Sequence, residues 1–408
     1  MSRKLLNLFL TASLLFAPSI SFATDVMTRC YSKTISALDS YTKLLIHGDS
    51  IGDATGKTVT ANGNAAVTTA QYKFAELGRS LVFDGTGDYL SLADSDDWWF
   101  DNQDFTIDCW VRLTSPSAAG YIIYSQWVGA GTTDYVQLWV NSTTLGFNVK
   151  SSDITIMDIY QSFTFSADTW YHVAVVRNGN DLFVFQNGVK GSTVDVTGVT
   201  FPNFGADLNI GRRNYPSSYS YFNGWLSMVR ISKGTARWTS NFTPPTAPYD
   251  GARTVINITG LDGNTDEEYE FVCRFIDGFG ENCNYHLQPN GDSNSANFGS
   301  QYIDGRGTSI SADRQTSTYY GFLLAYGRDL NAITMSKAIL YAKSGYIRSL
   351  LNTYADGISG TTVSVIRSLG QVWNNTLDNI TSLVIFANQT NGLGVGTNIE
   401  LYKKSAKQ

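Results

Sequence analysis

An all-β chain of two sandwich domains is the architecture this sequence predicts, and three observations predict it. Segments of alternating apolar and polar residues recur along most of its 408 residues. Turn dipeptides such as Asn-Gly and Asp-Gly separate them at roughly eight- to twelve-residue spacing, the rhythm of a sandwich or barrel. The composition agrees: 23 Tyr, 22 Phe, 9 Trp and 37 Gly stand against only 16% charged residues, suiting half-buried pleated surfaces and tight turns.

The elements follow in order. Arg3 and Lys4, an apolar run from Leu5 to Phe16, and Ser21-Phe22-Ala23 before Thr24 form the pattern of a secretory signal peptide over residues 1–23. Its apolar run is too short to span a bilayer, and no later stretch approaches about eighteen continuous apolar residues. The mature chain is thus expected to be secreted, without a transmembrane segment. After a lead over residues 24–40, strands are predicted at 80–85, 89–92, 105–113, 121–127, 135–140 and 170–189. In the stretch FTIDCWVRL, Phe105, Ile107, Cys109, Val111 and Leu113 point one way, and Thr106, Asp108, Trp110 and Arg112 the other, as in a half-buried strand. The segment 170–189 breaks at Asn178-Gly179-Asn180-Asp181 into a hairpin and turns again at Asn187-Gly188.

Pro244, Pro245 and Pro248, followed by Asp250-Gly251, resist helix and ladder alike and read as a linker. Eight of the nine tryptophans precede it and only Trp373 follows. The expected division is therefore 41–250 and 251–408. Strands continue at 269–277, 337–344, 362–373, 382–388 and 398–404. The apolar stretch from Ala338 to Leu351 contains Ser344-Gly345, which favours two strands and a turn over a helix. A second β-rich sandwich is expected here.

Charge and cysteine narrow the function. A net charge of -6, a pI near 5.1 and no run of Lys or Arg exclude the basic footprint that nucleic acid requires. No CxxC occurs among the four cysteines, so zinc-knuckle and thioredoxin-type chemistry are not indicated. Cys273 and Cys283 flank the turn-rich FIDGFGEN and are placed to staple a hairpin. The pairing of Cys30 and Cys109 is not legible.

The first domain resembles a known family. Its order of motifs, LLIHGD, SLVFDGTGDYLSL, FTIDCWVRL, TWYHVAVVRNGNDLFVFQNG, LNIGRR and FNGWLSMVRISKGTARWTSNFTPP, is similar to the concanavalin A-like, laminin G-like jelly rolls over about residues 41–250. The resemblance implies a jelly-roll sandwich of the kind found in lectin domains, adhesion modules, and phage tail and other virion proteins. The region after 253 resembles, by texture, the β-rich modules that follow such domains in phage structural proteins. Family members often hold calcium near the first strands. By that resemblance Asp49 and Asp53, with Asp84 or Asp88, are the candidate ligands; ordinary Asp-Gly turns are the plainer reading of the same residues.

Catalysis is not expected. Glycosidases on this fold need paired carboxylates on one strand face, yet Asp108 stands alone in its strand and no ExDxxE occurs. The cluster Asp266-Glu267-Glu268-Tyr269-Glu270 reads as a solvated strand edge. His47, His172 and His286 are scattered and no GxSxG is present. For glycan contact the loop PSSYSYFNGW offers Tyr219, Tyr221 and Trp225; with the adjacent Tyr215 these supply rings, and Arg212, Arg213 and Asn214 supply donors. Trp98-Trp99 is a second candidate, and Trp170 is expected to fill the sandwich. The same aromatics suit a protein interface. Two functions follow: a lectin-like module binding glycan or cell-surface polysaccharide, or an accessory virion protein whose sandwiches contact other subunits. A homo-oligomer is compatible with either.

Overall fold

A computed structural model describes residues 27–129, 134–214, 220–279, 283–306, 309–316, 320–327, 329–358 and 363–404. The leader expected at 1–23 lies outside the described residues. Strand accounts for 54% of the chain and helix for 3%, so the chain is all-β. Among the described residues no helix is long and apolar enough to cross a membrane.

The first domain is a sandwich of two antiparallel sheets. One has seven strands in the order Ile154–Ser162, Thr144–Ser151, Tyr135–Val140, Tyr121–Trp127, Leu208–Ile210, Tyr89–Leu92 and Thr60–Asn62. The other has nine, centred on Trp170–Asn178, Phe105–Leu113 and Asn223–Lys233. Phe105, Ile107, Cys109, Val111 and Leu113 all enter the core between the sheets, where they meet Leu138 and Phe147. Alternation thus selected the inward face correctly. Truncating a fully buried ring such as Phe147 to Ala would cost about 3–5 kcal/mol. Asn187 and Gly188 both take positive φ (49° and 76°), as a tight type I′ turn demands.

One irregularity redirects side chains. The register of Asn223–Lys233 against Phe105–Leu113 shifts between Ser227 and Arg230, and Met228 adopts φ 55°. This bulge lets Leu226, Val229 and Ile231 enter the sandwich core while Met228 joins a separate cluster with Trp110, Leu45, Phe74 and Leu77 outside the nine-stranded sheet. Trp170 packs against that outer cluster as well, rather than filling the sandwich.

The second domain stacks an eight-stranded sheet on a four-stranded one. Between them lie Phe271, Tyr285, Leu287, Leu340, Trp373 and Ile399. Ile333–Tyr341 and Arg348–Ile358 are antiparallel partners joined through the Ser344-Gly345 turn, as expected for two strands rather than a helix.

Four further expectations need correction. The lead is part of the second domain: Met27–Thr34 pairs with Asn398–Lys404 and Ile35 enters the second core. The proline-rich boundary is packed, not a free tether. Its Pro248 is buried, and the wholly buried Arg253 donates to Glu76 at 2.6 Å and to the Tyr249 carbonyl at 3.0 Å. The third concerns the cysteines. Cys273 and Cys283 are free thiols, because Glu268–Ile276 belongs to the eight-stranded sheet and Cys283–Pro289 to the four-stranded one. Their strands are not the two arms of one hairpin, so ten residues of separation bring no bond. The acidic cluster is also more than a solvated edge. Asp266 is buried, accepting from the Tyr269 hydroxyl at 2.7 Å and Lys403 at 2.9 Å.

Candidate functional site

The outward positions of the seven-stranded sheet assemble an open groove. Along Tyr135–Val140, Val136, Leu138 and Val140 face the core, which turns Tyr135, Gln137 and Trp139 outward. The adjacent Thr144–Ser151 buries Leu145, Phe147 and Val149 and presents Gly146 and Asn148 on that same outer face. Register then aligns Gly146 with Trp139 and Asn148 with Gln137, while Asn148 also faces Asp158 on the next strand. The resulting hollow has a volume of about 230 Å³ and is rimmed by Tyr160, Arg213 and Ser220.

Glycine is required beneath the tryptophan. A Cβ at Gly146 would stand 2.3 Å from Cε2 of Trp139, so the indole lies flat across bare backbone. Its Nε1 donates to Asn148 Oδ1 at 2.5 Å, and Asn148 Nδ2 donates to Asp158 Oδ1 at 2.5 Å. The Tyr160 ring meets Trp139 edge-on at 5.8 Å. At the other end Tyr135 stacks on Trp127, with centroids 4.3 Å apart and planes 11° from parallel. Burial, then the charge of Asp158, raises the pKa of both Tyr135 and Tyr160, so both hydroxyls stay neutral and able to donate.

Gln137 is the polar group without a full set of partners. It is 8% exposed, and its Nε2 reaches Asn148 Oδ1 at 3.4 Å. Its Oε1 is buried with no hydrogen-bond partner. A buried, unmet acceptor costs about 1–3 kcal/mol.

The loop residues predicted for ligand contact do not form one site. Tyr215 and Tyr219 lie outside the described residues. Arg213 lines the groove, with its guanidinium 5.9 Å from the Trp127 ring centre. Arg212 instead covers Tyr89 at 3.5 Å and donates to Asn209 at 3.0 Å. Tyr221 is half-buried in a short pairing with Arg212, and Asn214 is half-buried beyond it. Trp225 belongs to the nine-stranded sheet, where Arg112 lies over its ring at 5.4 Å. It therefore cannot join Arg213. Trp98 is in the core and Trp99 donates to the Phe201 carbonyl at 2.9 Å, so that pair offers no open platform. The groove residues Trp139, Gln137, Asn148 and Tyr160 were missed. The signal was present in YVQLWV, whose outward positions are Tyr, Gln and Trp rather than charges.

The aspartates nominated for calcium serve the backbone. Asp49 accepts from the amides of Thr254 and Val255, Asp53 from those of Leu45, Thr55 and Lys57, and Asp88 from those of Asn64 and Asp84. Among the described residues no three His, Cys, Asp or Glu side chains converge as a metal site. Only Asp49 Oδ1 among these oxygens is buried without a partner, and one unengaged oxygen falls short of the six to eight ligands calcium takes.

The opposite outer face, on the nine-stranded sheet, is also polar but closed. Asp108 is wholly buried and accepts from Arg230 Nε at 2.8 Å and the Tyr249 hydroxyl at 2.6 Å, with His172 Nε2 3.4 Å away. Burial pushes its carboxyl up, but Arg230 and His172 outweigh this and hold it well below the usual range. Trp238 and Phe242, stacked at 4.1 Å, cover the cluster.

Residues 84–239 match the model Laminin_G_3 of the concanavalin A-like lectin/glucanases superfamily. No curated protein matches the chain in sequence. Three solved structures are among those similar to it. Domain 4 of AbnA, a GH43 extracellular arabinanase from Geobacillus stearothermophilus in complex with arabinotriose, is 17% identical (50% of this chain, 95% of that one, TM-score 0.36). The Ruminococcus gnavus IT-sialidase CBM40 bound to α2,3-sialyllactose is 13% identical (48% and 92%, TM-score 0.33). Mouse laminin α1 domains LG4-5 are 11% identical (92% and 98%, TM-score 0.28). All three superpositions are loose, and the functional reading rests on the groove.

Proposed function

We propose that the chain is a non-catalytic, lectin-like protein that binds a glycan in the groove of its seven-stranded sheet. The observation that carries this reading is Trp139 laid over Gly146 beside the unmet Oε1 of Gln137. A sugar ring offers an apolar C–H face for the indole and hydroxyls for Gln137, Arg213 and the two tyrosines, the mix of apolar wall and few placed polar groups typical of small-ligand sites. Among the described residues Asp158 is the one carboxylate bonded into the groove. Glycoside hydrolysis calls for two, so this chemistry supports binding over cleavage. Secretion, by way of a leader ending at Ala23, fits a ligand met outside the cell.

A glycan array with the purified chain, run with and without EDTA, tests the reading. Binding is expected to survive EDTA, and Trp139→Ala is expected to weaken the best ligand by about tenfold to a hundredfold, the range of an aromatic hot spot. An array without hits, or a Trp139→Ala protein of unchanged affinity, would overturn it. The accessory virion reading, with sandwiches making protein contacts, draws on a different surface, the outer face of the second domain.

A further inference from the structure

Part of the eight-stranded sheet of the second domain turns to solvent a face with little charge. On its four strands Ile333–Tyr341, Arg348–Ile358, Val365–Trp373 and Phe298–Arg306, the inward positions supply the core and the outward ones stand free. Met335, Leu351, Ile366, Val372 and Ile303 occupy outward positions and are 43 to 58% exposed; Ile310 on the flanking strand reaches 82%. Among the outward positions of these strands the charged side chains are Lys337, which leans onto Glu270 of the neighbouring strand at 2.9 Å, and, on the flanking strand with Ile310, the exposed Arg314. Water-facing sheet surfaces ordinarily carry charge, and a contiguous apolar patch of this kind marks an interaction site.

The relief of the face is as informative as its chemistry. Register places Met335, Ala355, Ile366, Gly305 and Ile310 side by side across five strands, large and small in strict alternation. Two rows further along, Leu351 neighbours Gly370. Knobs thus stand beside holes of matching size, the arrangement by which packed layers interdigitate. Five strands about 4.8 Å apart and seven residues long give a flat area of roughly 600 Å². Two such faces together remove about 1,200 Å² from water, the lower bound of a stable interface.

We propose that this face is where a second copy of the chain docks, sheet against sheet. A surface this poor in charge gives a charged partner or an anionic membrane little to select, whereas a two-fold pairing sets the same knobs and holes against each other from both sides. The stacked sheets would lie about 10 Å apart, as in a sandwich core.

Sedimentation velocity on the full chain over a concentration series tests this. The wild type is expected to reach twice the chain mass, and the double variant Leu351→Lys/Ile366→Lys to remain at the chain mass at every concentration. Both side chains are exposed, so the variant should keep the wild-type circular dichroism spectrum. Should the double variant misfold, Ser368→Lys at the centre of the face serves in its place, with circular dichroism as the check of fold. A wild type that stays at the chain mass throughout, or a folded variant that still doubles, would overturn the proposal.

Discussion

The two outer faces of the first domain make an instructive pair. Each carries tryptophan, a carboxylate and polar side chains at alternate strand positions. On the nine-stranded sheet Asp108, His172 and Trp110 are sealed under Trp238, Phe242 and Tyr249, and the Asp108 carboxylate is spent on Arg230 and Tyr249 of the same chain. On the seven-stranded sheet Trp139 and Tyr160 line an open hollow among the described residues, and Gln137 keeps an acceptor unmet. Similar residue types therefore give a structural seal in one place and a binding surface in the other. What separates them is whether a later segment of chain folds back over the face.

The contrast can be broken most forcefully at Asp108. Asp108→Ala leaves the Arg230 guanidinium buried without its counter-ion, and a loss of about 3–5 kcal/mol in stability is expected from chemical denaturation. Glycan affinity of the folded fraction should be unaffected, and a glycan-specific defect in a stable protein would erase the distinction.

Acid comes next. Burial depresses the pKa of His47, packed beneath the boundary segment, and of His286 in the second domain, the latter to about 4. Above the ordinary imidazole value of 6.5 both folded and unfolded chains leave them neutral, and stability is full. As pH falls below that value the unfolded chain takes up protons that the folded chain refuses, so stability drops until about pH 4. His286 alone accounts for roughly 3 kcal/mol. Unfolding midpoints across this window check the sign; no His lines the groove, so affinity measured over its upper half should stay flat.

The smallest effect, and the sharpest, is expected at Gly146. Gly146→Ala puts a methyl against the Trp139 indole and must lift the ring. Affinity should fall by about fivefold, near 1 kcal/mol, with little change in stability. A full loss of folding instead would mean that the tryptophan serves packing rather than ligand.

Much of the fold was legible because strand alternation is a local property. The inward set from Phe105 to Leu113, the turns at Gly179 and Gly188, and the two strands either side of Gly345 each follow from a few adjacent residues. At Met228 local alternation fails, because a positive φ lets Met228 and Val229 both be buried, on opposite sides of the sheet. The site was less legible. Arg213 was found from its loop, but Trp225 was grouped with it by proximity in sequence although the two belong to different sheets.

By itself, then, the sequence determined the class of the fold, the inward faces of its strands and the lack of a paired-carboxylate array. Only the tertiary structure decided that residues 27–34 complete the second domain's sheet, that Cys273 and Cys283 stay apart, and which outward face is left open. Those outcomes depend on pairing between strands far apart in the chain, as between Met27–Thr34 and Asn398–Lys404. Periodicity tells which side of a strand is apolar; it says nothing of which distant strand or segment will come to lie against it.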